Sequence, residues 1–275
     1  NSAQIQKIGK EIRGKVDGKT LFDEFSRGRY STDASVYQIK PLGVVLPKDT
    51  NDVLSLMEYS QKNSVPLLAR GGGSSQCGQT VGESVVLDYS KHQNKILELN
   101  VEEKYVWVQP GVVLDHLNAY LKPHGLWFPV DVSTSSRATI GGMSANNSCG
   151  SRSLYYGNMV HNVLAIEAIL DDCSIFNFDQ INKNYLATKN NQDRLYKIID
   201  KFIDVRQQVG GEIDANWPTT QRRVGGYNID LIDPEGFNSS NLLVGSEGTL
   251  SLFNKIKLRL SEIPKNKILG VCYFD

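Results

Sequence analysis

The stretch that most constrains this chain is Arg70-Gly71-Gly72-Gly73-Ser74-Ser75-Gln76-Cys77-Gly78, which follows directly on the apolar run Val65-Pro66-Leu67-Leu68-Ala69. Glycine loses more conformational freedom on ordering than any other residue, so three in a row at a strand end need a reason. One reason is that the backbone can take positive φ there. Successive N–H groups can then converge on an anion such as a pyrophosphate.

Two more stretches share this texture. From Pro129 to Gly150 nearly every side chain is small, in the order PVDVSTSSRATIGGMSANNSCG. Such a run lets the backbone approach a ligand closely along an extended groove, and a long loop inside a domain is usually functional. The third is Leu243-Val244-Gly245-Ser246-Glu247-Gly248-Thr249-Leu250, where Glu247 can accept a hydrogen bond from a ligand or from the turn itself.

Composition limits what these loops can serve. The 275 residues carry 30 Lys+Arg and 30 Asp+Glu, a formal net charge of +0, which argues against a basic nucleic-acid surface. With 40% hydrophobic and 22% charged residues, the chain has material for a real core and is not a disordered segment. No run of about 18 apolar residues suggests a transmembrane helix. Cys77, Cys149, Cys173 and Cys272 form no CxxC pair, which points to reduced thiols in a cytoplasmic setting. His92, His116, His124 and His161 show no metal-ligand spacing, so no metal site is expected. The first residues, Asn1 to Gln4, include neither an initiator Met nor an apolar signal core, and a piece of a longer chain is expected.

Hydrophobic spacing predicts a short amphipathic helix over residues 4–13 and strands at 42–46, 65–69, 85–88, 96–99 and 105–108. Asp49 or Thr50 can cap a helix that carries Val53, Leu54 and Met57 on one face. Helices are also predicted over 113–121 and 195–209, and a hairpin over 163–170 and 175–178. Strands at 242–244, 250–260 and 267–275 complete the reading. The strand–helix–strand unit around residues 42–69 should run parallel. The fold class is therefore α+β, a small parallel β/α subdomain followed by a larger antiparallel sheet with helices. Two nucleotide motifs fail. GxGxxG is absent from the glycine loop. Gly9 to Lys15 has P-loop spacing but ends in Val16 and lies in a helical pattern.

In this order, several segments resemble the FAD-binding domain of the vanillyl-alcohol oxidase or p-cresol methylhydroxylase (PCMH) type. They are Arg70 to Ser75, Val108-Gln109-Pro110-Gly111, Phe128 to Asp131, Ala138-Thr139-Ile140-Gly141-Gly142, Tyr156-Gly157 and Gly245 to Leu250. Three further stretches, Arg29 to Ser35, Ala145 to Ser153 and Arg222 to Asp230, resemble the bacterial FAD-linked dehydrogenases of D-2-hydroxy acids, such as D-lactate or D-2-hydroxyglutarate. The resemblance implies an N-terminal helical extension (1–40) and a PCMH-type domain (41–262, divided at 89/90). A substrate-binding cap would begin at 263–275, and an iron–sulfur region is common beyond it.

Carried over by position, the resemblance implies that Arg70, Gly71, Gly72, Gly73, Ser74 and Ser75 wrap the FAD pyrophosphate, helped by Gln76 and Gly78. Asp131, Ser133, Thr134 and Ser135, with Thr139, Gly141, Gly142, Ser144, Ala145, Asn146 and Asn147, would run along the flavin and ribityl chain. Cys149 and Gly150 continue that wall. Val163 and Ile166 would lie near the adenine or pyrophosphate end, and Glu247 and Gly248 would close the pocket. Relatives with covalent flavin carry His where this chain has Ser74, so non-covalent FAD is implied. Arg222 and Arg223 stand beside the place of a substrate-carboxylate Arg; they could clamp a carboxylate or form a solvated basic pair.

The implied activity is oxidation of a small D-2-hydroxy acid by hydride transfer to flavin N5, with the general base on the cap. Localisation would be cytoplasmic, or membrane-associated through the electron acceptor, whose identity is open. Alternatives within the fold are a reductase of enolpyruvyl nucleotide sugars and an FAD-binding electron-transfer subunit without its own substrate. A ligand-binding domain that holds no flavin is the alternative outside it.

Overall fold

The computed structural model describes residues 2–188, 192–266 and 268–274. The chain opens with the helix Ser2–Arg13, and then β1 (Lys19–Leu21), β2 (Gly43–Leu46), β3 (Leu67–Arg70) and β4 (Val85–Asp88) build a sheet in the order β1-β2-β4-β3. β2 and β3 both run parallel to β4, whereas β1 is antiparallel to β2. The parallel unit is thus as expected, with β4 inserted between its two strands.

The crossover helix Thr50–Asn63 starts where Asp49 accepts hydrogen bonds from the N–H groups of Asn51 and Asp52. It ends at Ser64 in the left-handed region, φ 51°. Buried Asp52 takes N–H bonds from Asp17, Gly18 and Lys48, which fixes the approach to β1. The segment read from sequence as a helical extension (1–40) thereby supplies, through Lys19–Leu21, a strand of this sheet. Ile8, Ile12 and Phe22 pack in the same core as Val45, Leu56 and Leu87.

The second sheet uses β5 (Ile96–Asn100) and β6 (Tyr105–Val108). After the short β7 (Leu126–Trp127) come β8 (Val163–Ile169), β9 (Ile175–Phe178), β10 (Gln180–Asn182), β11 (Gly236–Asn238), β12 (Leu252–Arg259) and β13 (Ser261–Glu262). Five of them form the antiparallel order β5-β6-β12-β8-β9, while β10 pairs with β11 and β13 with β7. Phe128, Leu117, Leu121, Ile140 and Met159 pack with Val106, Val108, Ile256 and Leu258 as the second core. A third, smaller core gathers Ile199 and Ile203 of the helix Arg194–Gln208 with Ile181, Phe237 and Leu242.

Two predicted strands are corrected. Leu242 to Val244 is not extended: Asn238 caps a 3₁₀ turn over Ser239–Leu242 by accepting from Ser240 N–H, and that turn carries Leu242 into the third core. Residues 268–274 form no strand, since none among the described residues supplies them with a ladder; 267 and 275 lie outside the described residues. The long small-residue stretch also holds structure of its own, the helix Ile140–Ala145, and the helix Ser153–Tyr156 follows just after it.

Candidate functional site

A cavity of about 670 Å³ opens between the two sheets, within the usual ~300–1,000 Å³ of ligand pockets. β3 forms one wall. This explains a difference within the first sheet: β2 and β4 are buried throughout, whereas all four residues of β3 are only half-buried. Leu67, Leu68, Leu252 and Phe253 make part of its lining apolar.

The glycine loop lies at the end of β3. Among the described residues, the N–H groups of Gly71, Gly72, Gly73, Ser74 and Ser75 donate to no protein acceptor. Gly73 sits at φ 64°, the left-handed geometry that turns consecutive amides toward one point. Close approach explains its neighbours. A Cβ on Gly71 would lie 2.0 Å from Thr139 Oγ1, and one on Gly72 would lie 2.3 Å from the Arg137 carbonyl oxygen. The first glycine cluster therefore touches the second through backbone.

Arg70 does not simply face the cavity. It donates from Nη1 to the carbonyls of Tyr30 (3.3 Å) and Thr80 (3.1 Å), and from Nη2 to that of Thr32 (2.8 Å). Burial lowers its pKa, and Asp88 and Asp33 oppose that shift.

In the second cluster, Thr139 caps the helix Ile140–Ala145, and Gly141 donates to Pro110 O at 2.8 Å across a gap that a Cβ would close. The Asp131 carboxylate accepts from Ser151 Oγ (2.7 Å) and Arg152 N (3.0 Å), and Gly150 fits against the Asp131 carbonyl. In the third cluster, Glu247 at φ 50° accepts from Gln79 Nε2 at 3.0 Å, and Ser75 Oγ in turn bonds to Gln79 Oε1. Side chains of the loop and of the turn at 245–250 thus meet at the cavity.

Most of the residues singled out from sequence line this one cavity. They are Arg70 to Ser75 in the loop; Asp131, Ser133 and Thr134; Thr139, Gly141, Gly142, Ala145 and Asn146; Cys149 and Gly150; and Glu247 and Gly248. The others lie elsewhere for identifiable reasons. Gly78 packs on the Tyr37 ring side of the loop, with Gln76 just before it. Ser135 offers its carbonyl to Asp115 N, and Ser144 bonds to Ile140 O and Gly245 N on the inner face of its helix. Asn147 is fully buried and accepts from Val160 N. Ile166 is core, and Val163 borders a separate cavity of about 650 Å³. Lining residues that sequence reasoning passed over include Gln79, Tyr89, Pro110, Ser251 and the apolar residues of β3. The one signal for them was that an apolar run leads straight into the glycine loop.

Arg222 donates from Nη1 to Gly150 O at 3.0 Å and is otherwise exposed. Arg223 is held by Asp230 (2.5 Å) and Pro218 O (3.2 Å), with its guanidinium 5.2 Å from the Trp217 ring centre. His161 Nδ1 accepts from Asn158 N at 3.0 Å, so this nitrogen carries no proton; burial and the nearby Arg223 charge lower its pKa. No group of three or more metal-ligating side chains occurs among the described residues, and no described helix is long and apolar enough to cross a membrane.

A parallel β/α unit, an antiparallel five-stranded sheet and a glycine-lined cleft between them define a PCMH-type nucleotide-binding fold. The family model described as "FAD binding domain" matches residues 41–179, and the chain belongs to that family. It is 34% identical over 252 residues to D-2-hydroxyglutarate dehydrogenase of Haemophilus influenzae, covering 87% of this chain and 24% of that protein. It is also 34% identical to D-2-hydroxyglutarate dehydrogenase of Escherichia coli, covering 93% of this chain and 26% of the relative. The chain spans about a quarter of the length of these curated relatives. Among solved structures, an alkyldihydroxyacetonephosphate synthase shares the fold with a TM-score of 0.67 at 18% identity, over 95% of this chain and 41% of that one.

The cofactor is FAD, and the cavity's donor set fits it. Free amides at the loop suit two phosphates, hydroxyls and amides along the wall suit a polyol, and the apolar part of the lining suits a ring.

Proposed function

We propose that this FAD-binding domain serves a longer flavoenzyme that oxidises a D-2-hydroxy acid of the D-lactate or D-2-hydroxyglutarate class. One observation carries the reading: five successive amides, Gly71 to Ser75, without acceptors among the described residues, at the edge of a cavity between two sheets. These amides hold the pyrophosphate. FAD, when bound, supplies the two-electron acceptor that takes hydride from the substrate carbon. The wall formed by Asp131 to Thr134, by Thr139, Gly141, Gly142, Ala145 and Asn146, and by Cys149 and Gly150 orients it. Cys149 N–H, which has no protein acceptor among the described residues, is available to a developing negative charge.

Ser74 has no imidazole with which to form a flavin bond, so FAD is held non-covalently. Arg222 is favoured over Arg223 as a substrate-carboxylate ligand, because Arg223 is already committed to Asp230. Residues 41–262 form the domain, with 1–40 completing its first sheet, and a cap with the general base follows from about 263. The enzyme works in the cytoplasm and passes electrons to an acceptor that is soluble or membrane-borne.

The test has two stages. The purified chain should take up FAD, show flavin absorbance, and release all of it on denaturation. The relative-length protein should then bleach anaerobically with D-lactate or D-2-hydroxyglutarate. A chain that stays colourless with excess FAD, or a loaded protein that neither acid reduces, would sink the proposal.

A further inference from the structure

The stretch Arg29 to Ser35 has no place in the cavity, yet the structure gives it close contacts with the glycine loop. Arg70, the last residue of β3, donates to the carbonyls of Tyr30 and Thr32 on this arm and of Thr80 beyond the loop. Its guanidinium carbon lies 5.2 Å from the Tyr30 ring centre. The Tyr30 hydroxyl donates to Asp88 Oδ2 at 2.6 Å, and Asp88 is the β4 residue in register with Arg70. Asp33 Oδ2 accepts from Thr80 Oγ1 at 2.9 Å, and its other oxygen accepts from Ser35 N at 2.8 Å. Both ends of the glycine loop, at 70 and at 80, are therefore tied to one arm.

The guanidinium also lies close beside Gly73. A Cβ there would come within 2.6 Å of Nη2, so glycine is what lets the arginine sit against the loop. Of its five N–H donors, three go to carbonyls, so most of its hydrogen-bonding capacity is committed to the protein and not to a phosphate. Its nearest opposite charges are Asp88 and Asp33.

We infer that Arg70, Tyr30 and Asp33 are positioning residues that hold the Gly71–Ser75 amides in their converging geometry, and that they do not themselves ligate the cofactor's phosphates. This rests on the proposed reading that the pyrophosphate sits on those amides.

The two roles separate by sign. If Arg70 were a direct phosphate ligand, Asp33→Ala would remove a competing negative charge and tighten FAD binding, and Tyr30→Phe would change nothing. If the arm positions the loop, both variants weaken it. The experiment measures the Kd of FAD, ADP and riboflavin for the protein and for Tyr30→Phe, Asp33→Ala and Asp33→Asn. Tyr30→Phe keeps the ring packing, so it guards against simple misfolding. Tyr30→Phe and Asp33→Ala should raise the Kd of FAD and ADP about 3- to 10-fold, the range of one lost hydrogen bond, and leave riboflavin unchanged. Asp33→Asn, which keeps an acceptor for Thr80, should restore most of the affinity. Unchanged or tighter FAD binding in both Tyr30→Phe and Asp33→Ala would overturn the inference alone. If the unaltered protein bound riboflavin as tightly as FAD, the pyrophosphate reading itself would fall, and this inference with it.

Discussion

Gly71 and Thr139 stand so close that a β-carbon on the first would lie 2.0 Å from Oγ1 of the second. This contact brings the glycine loop of the first subdomain against a helix cap of the second. Gly71→Ala must push the two apart, and overpacking of this kind costs about 1–3 kcal/mol. FAD affinity is expected to fall at least about tenfold. Gly28→Ala is the control, since a Cβ there meets nothing within 4 Å. Isothermal titration of both variants checks the pair, and equal affinities would refute the steric account.

The contact between Gln79 and Glu247 carries a kinetic expectation. It joins loop and turn at the cavity and is exposed, so its contribution to stability is small. Gln79→Ala should leave the melting temperature almost unchanged while FAD leaves faster, by about 2- to 5-fold. Stopped-flow flavin fluorescence measures the release. A release rate equal to that of the unaltered protein would show that the contact does not retain the cofactor.

His161 gives a pH dependence of definite sign. Its folded pKa lies below the ordinary 6.5, first through burial and then through Arg223. The unfolded chain therefore binds the proton at higher pH than the folded one, and stability rises with pH across the interval between the two values. The contribution is fully present above about pH 6.5 and is lost as pH falls through the lower folded value. Melting temperatures from about pH 5 to pH 7.5 should show a shallower slope in His161→Gln than in the unaltered protein. Parallel slopes would remove His161 from the account.

Phe128 tests the second core. It is fully buried, and its N–H donates to Asn118 Oδ1 at 2.7 Å. Phe128→Ala should destabilise the protein by about 3–5 kcal/mol, measured by urea unfolding. A loss under about 1 kcal/mol would mean that this core collapses around the gap.

What could be read in advance followed the physics of each signal. The glycine loop was legible because Gly71 to Gly73 have no low-cost alternative use, and β8 with β9 because apolar runs flank a polar turn. Ser144 and Asn147 sit among small residues that do line the cavity, but spacing alone does not say which side of a short helix faces it. Their complete burial decides that. Leu242 to Val244 has strand composition, yet the Asn238 cap overrides that preference. Nothing in the apolar character of the β3 residues separates a cavity wall from core, and only the fold reveals that one wall of the cavity is made of them. Arg70 was recognised as important for a role different from the one its contacts favour.

The pairing of Lys19–Leu21 with β2 has a consequence for how the protein stays dispersed. The family match begins at residue 41, so a chain trimmed to that boundary would lack this partner strand. Gly43 to Leu46, buried throughout, would then offer open backbone groups and apolar side chains to any other copy. Such edges seed strand-to-strand aggregation. The short first strand, with exposed Lys19 at its outer end, acts as a guard rail for the sheet, and shortened versions should precipitate where the whole chain does not.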